Sequence, residues 1–276
     1  MISLDYLLQF IDEDAPFGDI TSDAIIPNVS CTADIRAEDG GIIAGIDEIT
    51  LLFSHFGVEV HTRVNDGDMV RNGDVIVSLS GEAKMILLVE RTALNILGRM
   101  SGIATRTKKM VTVVSSVNPR CRVAATRKTC PGFRELDKKA VVIGGGEPHR
   151  FSLSDSILIK DNHLVLVPLE NAIAAAKKFT HYKKIEVEAE TPEAAHQAGR
   201  AGADIIMLDN MNPEQIRKTI SLLKSDHIRE HVVIELSGGI DENTLRTVAA
   251  FDVDVISMGS LTHTVKNFSV TLEINP

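Results

Sequence analysis

The chain has 276 residues, 44% hydrophobic and 24% charged, with a formal net charge of −9. That length suits a barrel-sized domain, alone or with a small companion, and the composition suits an ordinary soluble core. The acidic balance argues against general nucleic-acid binding, no apolar run is long enough to span a bilayer, and the acidic start MISLDYLLQFIDEDAP lacks the basic segment of a secretory signal. Cys31, Cys121 and Cys130 are odd in number and lack metal-ligand spacing, so they read as reduced thiols of a cytoplasmic protein. Cys130 lies beside a basic cluster, but no partner His is implied, and it reads as a bystander.

In chain order, Leu4, Leu7, Leu8 and Ile11 share one helical face, which predicts a short helix over 4–14, and Phe17–Thr21 reads as a turn. Alternating polar and apolar residues predict strands over 31–37, 58–64 and 75–79, with a turn at Asn65-Asp66-Gly67-Asp68 and a helix over 51–56. This is a small sheet domain reaching to about residue 82. Residues 83–116 read as a helix that is apolar on more than one side, with Gly98 and Gly102 permitting close backbone approach. Arg91 is expected to be buried in it and to need a partner, either a local acid such as Glu90 or a ligand.

From residue 121 the pattern changes. Apolar runs at 122–125, 156–159, 184–188, 204–208, 232–236 and 253–257 alternate with helical stretches, and Thr191-Pro192-Glu193, Asn212-Pro213-Glu214 and Asp241-Glu242-Asn243 are helix-start signals. The segment between the first two runs reads as a loop carrying Gly144-Gly145-Gly146 and His149-Arg150. A β-then-α repeat implies parallel strands, as a barrel or a doubly wound sheet. The residues that end the runs favour the barrel: Thr126-Arg127-Lys128, Lys160, Glu188, Asp209, Ser237-Gly238-Gly239 and Met258-Gly259-Ser260. In a barrel all six ends meet at one mouth, where ligands bind.

That mouth has two electrostatic halves. Arg127, Lys128, Arg150 and Lys160 suit a multiply anionic small molecule. Glu188 and Asp209, beside two glycine turns able to bind phosphate through backbone N–H groups, suit sugar hydroxyls or Mg²⁺. No GxGxxG stands at a strand-to-helix turn and no Walker lysine motif occurs, so a sugar phosphate plus a di-acid fits better than hydride transfer.

Eight segments then carry a family resemblance: EDAPFGDITSDAIIP, ERTALNILGRMSGIAT, ATRKTCPGFR, GGGEPHRFSLSDSILIKDNH, EVEAET, ADIIMLDNM, ELSGGI and DVISMGSLTH. In these the chain resembles the quinolinate phosphoribosyltransferases, in the family's order and through nearly its whole length. The resemblance implies an incomplete α/β (TIM-like) barrel with a smaller N-terminal α/β sandwich. Residues 1–110 would form the sandwich and connecting helix and 111–276 the barrel, with C-terminal residues able to pack back on the first domain. It implies phosphoribosyl transfer from phosphoribosyl pyrophosphate to quinolinate with decarboxylation, a Mg²⁺ requirement, and a homodimer, or assembly of dimers, with shared active sites.

Carried onto this sequence, the resemblance assigns Arg127, His149, Arg150 and Lys160 to the quinolinate carboxylates, with Lys128 between them and the phosphates. Thr126 ends the same strand. Glu188 and Asp209 would hold ribose hydroxyls and Mg²⁺, and Ser237, Gly238, Gly239, Met258, Gly259 and Ser260 the 5′-phosphate. Arg91 would enter the neighbouring subunit's site. Lys128, Glu188 and Asp209 are the expected catalytic residues. Ala125 and Pro148 depart from the acidic residue and Asn of many members. The alternatives are a molybdenum-transport-associated paralogue, whose pattern lacks the Lys160 position, nicotinate phosphoribosyltransferase, which reads one carboxylate, and a non-catalytic anion-binding protein.

Overall fold

The six apolar runs form six parallel strands, Arg122–Ala124, Ile157–Ile159, Ile185–Ala189, Ile205–Asp209, Val233–Ser237 and Val255–Ser257, in a computed structural model that describes residues 2–275. Spatially the sheet runs from the first of these strands to the last, then steps back one strand at a time to the second. A doubly wound sheet reverses direction at its middle. This one proceeds in a single sense, so its first and second strands are its two edges, and the architecture is an incomplete α/β barrel. At the first edge, Glu147 pairs in parallel with Ala124: its N–H donates to the Val123 carbonyl at 2.8 Å, and its carbonyl accepts from Ala125 N at 2.9 Å.

The strands are buried on both faces, as parallel strands are when helices cover the outside. Val187, Ala189, Ile206, Leu208, Ile234 and Leu236 are all buried on one face. The residues between them, at positions 186, 188, 207, 209, 235 and 237, share the other face by the two-residue period of a strand. The expected helix starts are all used. Thr191, Asn212 and Asp241 cap Pro192–Ala201, Pro213–Ser225 and Glu242–Ala249 by accepting first-turn backbone N–H groups. These strands and helices belong to a unit made of Lys109–Lys128 and Gly146–Ser260.

The second unit takes in the described residues up to Lys108, Thr129–Gly145, and the described residues from Leu261 onward. Its main sheet has four antiparallel strands in the order Val270–Asn275, Ser30–Ala37, Val75–Glu82, Glu59–Thr62. The long helix is Ala83–Ser115. Gly98 and Gly102 have the expected close neighbours: a side chain at either would collide with the backbone of residues 266–268.

Three expectations are corrected here. The stretch after Thr129 is not simply a loop, because Arg134–Ile143 is a helix burying Leu136, Ala140 and Val141. Its period was hidden by the charged run Arg134-Glu135-Leu136-Asp137-Lys138-Lys139. A short helix, Ile20–Ile25, starts inside the expected turn, capped by Asp19. Arg91 is exposed, not buried; among the described residues it has no ion pair. A partly buried arginine of that helix, Arg99, pairs with the fully buried Asp137 at 2.8 Å and donates to the Thr262 carbonyl at 3.0 Å.

Candidate active site

A cavity of about 370 Å³ opens in the barrel unit, lined by Thr126, Arg127, Lys128, His149, Arg150, Leu158, Lys160, Glu188, Met207, Asp209, Glu235 and Ser237. Strand periodicity explains the set. Leu158 and Lys160, Met207 and Asp209, and Glu235 and Ser237 are each two residues apart, so each pair points to the same side of its strand. The register aligns them across strands: Glu188 opposite Met207, Met207 opposite Glu235, Asp209 opposite Ser237. The cavity therefore has an apolar wall at Leu158 and Met207, with cations and carboxylates around it.

The cations are held in different ways. Lys160 donates to Glu188 at 2.7 Å, and its own backbone N–H donates to His163 Nδ1 at 2.9 Å. Arg150 reaches the Ser156 carbonyl at 3.5 Å, and burial, then the charge of Arg127, pulls its pKa down. It stays protonated, as arginine does in proteins. Arg127 Nε is buried with no hydrogen-bond partner among the described residues. A guanidinium N–H without an acceptor costs free energy until an acceptor is supplied, and an anionic ligand would supply one. Lys128 is exposed, and its backbone N–H donates to Thr126 Oγ1 at 3.1 Å.

Sequence reasoning missed two acids. Glu186 and Glu235 are almost fully buried, and each has one carboxylate oxygen without a hydrogen bond among the described residues. His149 Nε2 lies 3.3 Å from Glu235 and 3.8 Å from Glu186. Burial, then the neighbouring Glu235, pushes the Glu186 carboxyl up to about 7. The available signal was a charged residue in the middle of an otherwise apolar run, two residues before the polar strand end, in both Glu186-Val187-Glu188 and Glu235-Leu236-Ser237.

The glycine turns sit at the ends of the last two strands, yet among them only Ser237 lines the cavity. Gly238 and Gly239 have φ +88° and +60°, and a side chain at Gly238 would collide with Asn210. Only glycine satisfies both demands at 238. The Asp241 side chain already accepts from Asn243 N and Thr244 N, so the next helix caps its own start and the turn amides are the remaining donors. Met258 is buried, and Ser260 Oγ is buried without a hydrogen-bond partner among the described residues. Arg91 belongs to the other unit.

Fold and site together define an α/β-barrel protein with a cation-rich pocket at its strand ends. Residues 103–273 match the family described as Quinolinate phosphoribosyl transferase, C-terminal domain, and residues 19–101 match its N-terminal domain. A probable nicotinate-nucleotide pyrophosphorylase (carboxylating) of Methanothermobacter thermautotrophicus is 41% identical over 98% of this chain and 98% of its own. The nicotinate-nucleotide pyrophosphorylase (carboxylating) of Rattus norvegicus is 33% identical over 96% of this chain and 89% of its own. The crystal structure of nicotinate-nucleotide pyrophosphorylase from Ehrlichia chaffeensis superposes with a TM-score of 0.93 at 31% identity, covering 99% of both chains. The chain belongs to the quinolinate phosphoribosyltransferase family.

Proposed function

We propose that the protein transfers phosphoribose from phosphoribosyl pyrophosphate to the ring nitrogen of quinolinate, giving nicotinate mononucleotide, pyrophosphate and CO₂ for NAD biosynthesis. The observation that carries this reading is the cavity itself. Arg127, with its unpaired Nε, stands with Arg150, Lys160 and His149 around a space the size of a small planar di-acid, beside Glu188 and Asp209. A mono-acid would not need so many cations, and an anion-binding protein without chemistry would gain nothing from carboxylates in the same cavity.

The cations bind and orient the two quinolinate carboxylates, and Leu158 and Met207 present apolar surface to the ring. The bond from ribose C1 to pyrophosphate breaks, its electron pair leaving with the pyrophosphate, and the ring nitrogen lone pair forms the new bond to C1. Glu188 and Asp209 stabilise positive charge on the ribose as it develops, and Lys128 stabilises the leaving group. The bond from C2 to its carboxylate then breaks, CO₂ leaves, and the electron pair stays on C2, stabilised by the adjacent positive ring nitrogen until that carbon takes a proton. Glu188 and Asp209 are adjacent-strand carboxylates, a donor set that suits Mg²⁺ shared with substrate oxygens. The ion would neutralise phosphate charge there. Arg91, exposed and unpaired among the described residues, would serve the neighbouring subunit's site in a homodimer.

The test is CO₂ release from carboxyl-labelled quinolinate, with phosphoribosyl pyrophosphate and Mg²⁺ present or omitted. Release that requires both is expected. Folded protein that releases none would overturn the reading.

A further inference from the structure

Two buried carboxylates and a histidine stand together at the cavity, His149 and Glu235 in its lining and Glu186 beside His149, and the reaction above uses only the histidine. Glu186 and Glu235 are 1% and 2% exposed, and the two unpaired oxygens on them are not a stable arrangement for its own sake. A buried acid in mid-strand is commonly no more stabilising than an apolar residue of its size, so its presence asks for another role. His149 pays a conformational cost as well, with φ +55° in the left-handed region. It follows Glu147, whose backbone is pinned to the first barrel strand by two hydrogen bonds. That anchoring and the 3.3 Å approach of Nε2 to Glu235 fix the ring at the cavity.

Resting on the proposed function, we propose that Glu235 is a positioning residue for quinolinate: its carboxylate holds the His149 imidazole in the orientation that binds the substrate's carboxylate end. Glu235 acts through His149, with Glu186 as a second carboxylate at 3.8 Å. The same three side chains could be read as a metal site, since they offer ligand atoms within 4.8 Å of one another. Against that reading, Arg150 and Lys160 also act electrostatically on Glu186, and a dication would enter beside cations already in place.

The test is a double-mutant cycle with Glu235→Gln and His149→Asn. Asparagine tolerates the left-handed backbone at 149, and glutamine keeps the volume at 235, so both variants are expected to melt near the wild type. Quinolinate binding is read by calorimetry without the second substrate, and KM for each substrate by turnover. Glu235→Gln is expected to weaken quinolinate binding by about tenfold or more, while KM for phosphoribosyl pyrophosphate stays within about twofold. In the double variant the loss should be no greater than in His149→Asn alone.

Additive losses, or unchanged quinolinate binding in Glu235→Gln beside an active wild type, would overturn the inference and leave the proposed function standing. A stoichiometric transition metal in the wild-type protein, absent from Glu235→Gln, would also overturn it in favour of a metal centre. Wild-type protein that neither binds nor turns over quinolinate would sink both readings.

Discussion

Lys160 is where one side chain decides between two charges. Its ammonium neutralises Glu188 at 2.7 Å and stands where a dianion would bind. Lys160→Ala therefore removes a cation and also leaves Glu188 unbalanced. We expect KM for quinolinate to rise by about two orders of magnitude, the equivalent of a broken charge pair, with little change in melting because the side chain is 44% exposed. Steady-state kinetics with quinolinate varied checks this; unchanged KM would remove Lys160 from the pocket. Glu186 gives a second prediction at this scale. With its carboxyl raised from 4.5 to about 7, the folded protein holds a proton between those values that the unfolded chain has lost. The stabilisation is full below about pH 4.5 and is lost as pH rises through 7, at no more than about 1.4 kcal/mol per pH unit. Glu186→Gln, which resembles the protonated form, should match the wild type in urea denaturation at pH 4 and exceed it at pH 8.

Among elements, the turn after Val233–Ser237 carries the sharpest geometric demand. Gly238→Ala has to place a side chain at φ +88° and against Asn210, whose own N–H donates to the Ser237 carbonyl at 3.0 Å. Strain of this kind costs on the order of 1–3 kcal/mol. If the turn binds the 5′-phosphate, KM for phosphoribosyl pyrophosphate should rise more than KM for quinolinate; equal changes in both would point to general damage. This turn also shows what was legible beforehand. The glycines, the six strand ends and the three helix caps could be read because turn chemistry, two-residue alternation and capping are local. The Glu186–His149–Glu235 group was not legible as a group. Its members come from two strands and a loop, and only the sheet register brings them together. The helix Arg134–Ile143 was missed because two of its five buried residues, Asp137 and Lys138, are charged and break the apolar period, and Arg91 was expected inside because an apolar helix does not announce which narrow edge stays wet.

For the whole molecule, the proposed exchange of Arg91 between subunits can be decided without imaging an interface. If each pocket combines Lys160 of its own chain with the Arg91 of a neighbour, Arg91→Ala and Lys160→Ala homodimers are both nearly inactive when quinolinate is held near the wild-type KM, far below the raised KM of Lys160→Ala. A mixed dimer behaves differently: one of its two pockets carries both defects, while the other has an intact Lys160 and an intact incoming arginine. With random exchange half the dimers are mixed, so the mixture should recover roughly a quarter of wild-type turnover, as a closed two-fold assembly requires. Turnover should rise on the timescale of subunit exchange, followed with two differently tagged variants. Exchange without recovered turnover would mean that Arg91 acts within its own chain or not at all. Its exposed position would then be an ordinary solvated one.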